Sequence, residues 1–161
     1  MHSIDVIPMY LEVVLVFLVG VDPGGTTGVA WRDRSGRVVS VDVEVGLDWS
    51  RVADVVATVR RVVEESGAGG WSGARLYVED FVLVPRSVLS RDGSTPLVVI
   101  GALYGAFGRL VSLGQNAALA KSTFTDKRLR ALGLWDKRSA HQRDAIRHLL
   151  LAERREKGRK G

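Results

Sequence analysis

The sequence predicts an α/β domain built on a mixed sheet, and three observations predict it. A valine-rich apolar run, Val13 to Val21, ends abruptly in Asp22 and the turn Pro23-Gly24-Gly25, the profile of a buried strand delivered into a tight turn. The segments 28–32 and 37–45 follow, and the second alternates apolar and polar residues with the period of a half-buried strand. The period then changes. Val52, Val55, Val56, Val59, Val62 and Val63 fall at helical spacing before a further short apolar segment, Leu76 to Val78. A strand that follows a crossover helix returns most simply parallel to the first strand.

Composition bounds the rest. With 161 residues, 46% hydrophobic and 25% charged, the chain is one domain with enough length for a core. It has no cysteine, which excludes disulfides, thiolate zinc sites and thiol catalysis and permits a reducing compartment. The formal charge is +5, which suits a polyanionic partner such as nucleic acid. Residues 7–21 are apolar but interrupted by Pro8 and Glu12, too short for a membrane span. They lack the basic start and cleavage pattern of a signal peptide. Residues 1–12 read as a loose leader, 13–153 as the domain and 154–161 as a basic tail.

The elements follow in order. Strand one is 13–22 and strand two 28–32. Asp33-Arg34-Ser35-Gly36 is a hairpin turn, and strand three is 37–45, so the first three strands form an antiparallel meander. A helix spans 49–65 and ends in Gly67-Ala68-Gly69-Gly70. Strand four is 75–81. Residues 82–95 are a polar loop. Pro96 fits the first turn of a helix running to Leu113, with Ser94 or Thr95 as cap. That helix is apolar nearly all round and carries Gly101, Gly105 and Gly108, as a core helix or an oligomer interface does. A short strand is expected over 115–120. A helix is expected over 123–132, with Thr123 and Asp126 as its capping pair and Gly133 as its stop. Ser139 and Gln142 form a capping box for the last helix.

Acids mark the ends of strands one and four (Asp22; Glu79 and Asp80) and the last helix (Asp144). His141, Asp144 and His148 share one stripe of that helix, away from the Ile146, Leu149 and Leu150 face. Singly, Asp22 also reads as a turn cap, Asp144 as a solvated helix residue and His148 as a satisfied histidine. Together, carboxylates converging from distant segments repel one another unless a cation joins them. Oxygen-rich clusters of this kind hold Mg²⁺ or Mn²⁺.

The Asp22-Pro23-Gly24 turn, Val78-Glu79-Asp80-Phe81 and His141-Gln142-Arg143-Asp144-Ala145 together resemble the RuvC family of Holliday-junction resolvases, in the form found in phages of actinobacteria. The resemblance spans roughly residues 15–152. It implies the RNase H-like fold, with a five-stranded mixed sheet of order 3-2-1-4-5 flanked by helices. It implies a metal-dependent endonuclease that nicks four-way DNA junctions with two Mg²⁺ or Mn²⁺ ions. Asp22, Glu79 and Asp144 match the acidic ligands, and His141 falls where the family carries a further acid or histidine. Asp80 departs from many relatives and is placed behind the ligands. Arg86, Arg91, Lys121, Lys127 and Phe81 are the expected DNA contacts, Phe81 by stacking, although Phe81 reads equally as a core residue. A homodimer through residues 96–113 is implied, and action in the cytoplasm, that of the host for a phage protein.

Three rivals remain open. Residues 22–28 also resemble the first phosphate loop of the actin and sugar-kinase ATPases, although those enzymes pair two such domains around the nucleotide. A YqgF-type nuclease acting on RNA shares the fold and the acids. A non-catalytic DNA-binding module of the same fold would not need Asp22, Glu79 and Asp144 intact.

Overall fold

The computed structural model describes residues 16–66, 71–81 and 91–159, with the side chains of 91 and 92 excepted. The leader, strand residues 13–15, the glycine loop 67–70, residues 82–90 and the last two residues of the tail lie outside the described residues.

Five strands form one sheet of order β3-β2-β1-β4-β5: β1 Phe17–Asp22, β2 Thr26–Arg32, β3 Val38–Glu44, β4 Ala74–Glu79 and β5 Val111–Gln115. The first three pair antiparallel, and β4 runs parallel to both β1 and β5. This is the order expected from the sequence. Side chains of successive strand residues point to opposite faces. Val19 and Val21 of β1, Val29 of β2, and Leu76 and Val78 of β4 therefore join one core with helices α1 (Val52–Glu65) and α2 (Arg91–Phe107). Val55, Val59, Val62 and Val63 supply the buried stripe of α1, as their spacing predicts.

The opposite face is covered by α3 (Ala117–Thr123), α4 (Asp126–Ala131) and α5 (Ala140–Gly158), with Phe124, Leu129, Ile146 and Leu149 in a second core. Parity puts Gly20 and Asp22 of β1, Gly28 of β2, and Tyr77 and Glu79 of β4 on this side. Gly20 and Gly28 let α5 lie directly on the sheet. A methyl group on Gly20 would meet the Ala145 carbonyl oxygen at 2.3 Å, and one on Gly28 would meet the His141 carbonyl oxygen at 2.2 Å. Ser139 caps α5, its hydroxyl accepting from the Gln142 backbone amide at 3.0 Å, which is half of the expected capping box; the Gln142 side chain bonds Ser40 and Asp42 instead. The helix continues through Gly158 into the charged tail, where Glu156 accepts from the Tyr77 hydroxyl.

Three expectations are corrected. Helix α2 begins at Arg91 and ends at Phe107, so Pro96 lies inside it and residues 111–113 belong to β5 rather than to a helix reaching Leu113. The core contacts of Val99 and Leu103 outweigh the one backbone bond that Pro96 removes. The strand expected over 115–120 ends at Gln115. Asn116 then caps α3, its side chain accepting from the Leu119 amide at 3.0 Å, and the Ala-rich stretch behind it is a good helix former. The helix expected over 123–132 is found, shortened to Asp126–Ala131, and Thr125 rather than Thr123 caps it. Gly133 has a φ of 67° and stops it as predicted. Among the described residues no helix is long and apolar enough to cross a membrane.

The glycine contacts set a stability test. Gly28→Ala and Gly20→Ala force a methyl against helix backbone, and each should destabilise by about 1–3 kcal/mol or more. Gly101→Ala, with nothing within 4 Å of the added methyl, should stabilise by up to about 1 kcal/mol. Urea denaturation of the three variants measures both signs.

Candidate active site

Asp22 and Glu79 reach the same edge of the sheet because β1 and β4 run parallel, with Val21 opposite Val78. Both acids follow at the next position, at the carboxyl ends of adjacent strands, the place where open α/β sheets put their chemistry. Helix α5, seated on Gly20 and Gly28, carries His141, Asp144 and His148 across that edge. His141 Nδ1 is 3.0 Å from Asp22 Oδ2. His148 Nε2 is 2.8 Å from Glu79 Oε2. Asp144 is paired with Lys121 Nζ at 3.1 Å and with the Arg147 guanidinium.

The electrostatics follow from burial. Asp22 is 9% exposed. Its carboxyl is pushed from an ordinary 3.8 up to about 6, chiefly by loss of solvent, with repulsion from Glu79 and Asp144 adding to it. The hydrogen bond with His141 and its charge oppose the rise. Asp22 therefore feels the charge of both other acids, as their convergence predicts. Each is met by a protein group: His141, His148, or Lys121 with Arg147. Among the described residues, no group of three or more His, Asp or Glu side chains forms a ready metal-binding cluster. The donor chemistry still fits the expected ions, since hard carboxylate oxygens with one imidazole suit Mg²⁺ and Mn²⁺. A cation would relieve the repulsion that burdens Asp22.

The other expected residues lie at varied depth. Asp80 is exposed, and its amide donates to the Gln115 carbonyl at 3.0 Å. Phe81 is half-buried two residues past the end of β4. Lys121, on α3, joins the site through Asp144. Lys127 is exposed on α4. Arg86 and the Arg91 side chain lie outside the described residues. An open cavity of about 260 Å³ beside Asp144 is lined by Lys121, Trp135, Arg143 and Arg147 among others. The guanidinium groups of Arg143 and Arg130 lie over the Trp135 ring, at 4.0 and 4.2 Å from its centroid.

Sequence reasoning missed two participants and the partner of a third. Gln115 ends β5 opposite Glu79, and its amide meets His148 Nδ1 at 2.9 Å. The signal was a polar residue closing an apolar segment, the same signal that marked Asp22. Arg147 is buried, donates its Nε to the Phe124 carbonyl at 2.9 Å, and bridges Asp144 to Asp126. An arginine beside Ile146 in a charged helix carries no mark of burial. His148 lay on the noted stripe, but its partner on β4 did not show.

No family profile matches this sequence, and no curated protein matches it. Among solved structures, T. thermophilus RuvC in complex with a Holliday junction substrate is similar over 83% of this chain and 90% of that one, at 16% identity and a TM-score of 0.58. The fold is that of RuvC, an RNase H-like fold. In this RuvC-like fold the parallel β1–β4 pair and α5 bring Asp22, Glu79, His141 and Asp144 to one edge of the sheet.

The raised Asp22 carboxyl predicts a pH dependence in metal-free buffer. The folded chain holds this proton more tightly than the unfolded chain, so its contribution is full below about pH 4 and is lost as pH rises through about 6. The loss amounts to about 3 kcal/mol at most. Asp22→Asn should therefore stabilise the chelator-treated protein at about pH 8 and do much less at about pH 5. Denaturant midpoints for both proteins at both pH values check it; an equal effect at the two would refute the burial penalty.

Proposed function

We propose that this chain is a metal-dependent endonuclease of the RuvC type that nicks branched DNA at four-way junctions. The observation that carries the reading is the convergence of Asp22 and Glu79, on adjacent parallel strand ends, with His141 and Asp144 on the helix laid across them, within a RuvC-like fold. The solved relative was bound to a Holliday junction, and the basic charge of this chain suits the same class of partner.

Asp22, Glu79, Asp144 and His141 are the residues that would hold Mg²⁺ or Mn²⁺, which when bound activates water for in-line attack on a phosphodiester and stabilises the leaving oxygen. The chain's own residues set up that site. Burial beneath α5 keeps bulk water from Asp22 and strengthens every charge interaction around it. His141 orients the Asp22 carboxylate through Nδ1. Lys121, whose side chain is 56% exposed, supplies positive charge on the approach to the acids, and Arg143 extends it along the cavity wall. Such contacts position a DNA backbone without reading its sequence. Arg86, Arg91, Lys127 and Phe81 remain proposed DNA contacts on the same reading.

Symmetric nicking of a junction calls for two copies. Helix α2 offers the surface: Gly101 and Gly105 are open, and Tyr104 is 50% exposed. The pairing element is thus Arg91–Phe107 rather than residues 96–113. Introducing charge there, as in Tyr104→Glu, should shift the sedimentation coefficient from dimer to monomer and uncouple the two nicks.

The decisive assay compares a four-way junction, a flap, a duplex and an RNA–DNA hybrid in Mg²⁺. The junction should be cut preferentially. Asp22→Asn should abolish cleavage and leave junction binding intact, because the basic surface remains. Undiminished cleavage by that variant would refute the assignment, and ATP hydrolysis with no nucleic acid cut would favour the kinase-like alternative. Preferential cutting of the RNA-containing substrate would favour the YqgF-type alternative.

A further inference from the structure

We propose that His148, backed by Gln115, is a positioning residue for Glu79 that fixes one carboxylate oxygen and leaves the other for a divalent cation. The inference rests on the metal-site reading above and goes beyond its ligand set.

Three elements meet here. Gln115 is the strand partner of Glu79, and the Asp80 amide ties the two strands together just past them. His148, 1% exposed, descends from α5 onto this pair. Its Nε2 meets Glu79 Oε2 at 2.8 Å and its Nδ1 meets Gln115 Oε1 at 2.9 Å. Both ring nitrogens are thus engaged, and the ring has no freedom to turn. Glu79 Oε1 has no hydrogen-bond partner among the described residues.

A carboxylate only accepts, so the ring donates to it from Nε2. In the neutral ring Nδ1 then needs a donor. Gln115 is 0% exposed and its Nε2 is buried without a partner among the described residues. Turning the amide by half a rotation brings this NH₂ to Nδ1 and gives the orphan donor its acceptor; oxygen and nitrogen of an amide are distinguished by such networks. The result is a chain from the Gln115 amide through Nδ1 and Nε2 to Glu79. A histidine that orients a carboxylate in this way fixes the ligand's direction and cuts the ordering cost of binding an ion.

The alternative is that His148 only satisfies a buried polar pocket. Metal binding separates the two. Mn²⁺ is titrated into DNA-free protein and free Mn²⁺ is followed by electron paramagnetic resonance, with circular dichroism as the check on folding. His148→Leu should weaken Mn²⁺ binding by about 10- to 100-fold. His148→Gln, which keeps an N–H donor toward Glu79, should restore most of it. Gln115→Leu should weaken binding less than His148→Leu. A folded His148→Leu protein that binds Mn²⁺ like the wild type would overturn the proposal. So would a His148→Gln protein as impaired as His148→Leu. If His148→Leu does not fold, Gln115→Leu carries the test, and wild-type affinity in it overturns the proposal. Absence of Mn²⁺ binding by the wild type would overturn both this inference and the metal-site reading. Mn²⁺ binding that depends on His148, with no nucleic acid cut, would support this inference and refute the nuclease.

Discussion

The structure depends on the contact between α5 and two glycines. Gly20 and Gly28 sit on neighbouring strands, and their missing side chains let the backbone of the last helix lie against the sheet. A helix packed on ordinary side chains stands about 10 Å from a sheet; here it is pulled closer. That approach lets a histidine on α5 reach Asp22 and another reach Glu79 with direct hydrogen bonds. Gly28 thus admits protein backbone, and its effect on the site is indirect: it sets the height of the helix above the acids.

The second constraint is charge. Three carboxylates and a buried arginine share one edge of the sheet. A buried charge is costly unless paired. The chain meets that cost pairwise, with His141 on Asp22, His148 on Glu79, and Lys121 with Arg147 on Asp144. Arg147 also binds Asp126 and the Phe124 carbonyl, so the guanidinium that neutralises Asp144 also ties α5 to the α3–α4 corner. For Asp22 the single imidazole partner does not offset burial and the repulsion of its neighbours, so its carboxyl is displaced upward. A site assembled at such cost at strand ends is a common property of functional centres.

Much of the fold was legible. The β1–β2–β3 meander follows from period-two patterning and the Asp33–Gly36 turn, whose Asp33 side chain accepts from the amides of Ser35 and Arg37. Helix α1 follows from its valine spacing, and the start of α5 from Ser139 and Gln142. The second half of the chain was harder. Pro96 was read as a helix start because a proline costs nothing there, yet packing of α2 absorbs it one turn further in. Around Gln115 to Thr125, Asn116 and Thr125 each cap a helix of about two turns. Over so short a span periodicity does not separate a strand from a two-turn helix, so α3 was read as a strand and the start of α4 was read too early.

What the sequence by itself determined is the list of chemical groups and the ends of strands on which they lie. Asp22, Glu79, His141 and Asp144 were identifiable because acids that interrupt apolar runs are conspicuous and because helix spacing is a local property. What only the tertiary structure decided is the pairing. That His148 serves Glu79, that Gln115 stands behind it and that Arg147 is buried against Asp144 are contacts between residues 69, 33 and 3 positions apart. The first two depend on β5 lying beside β4 and on α5 descending close to the sheet, and no local pattern encodes either distance. The third is close in sequence, but burial of that arginine depends on Phe124 and Asp126 arriving from another helix corner.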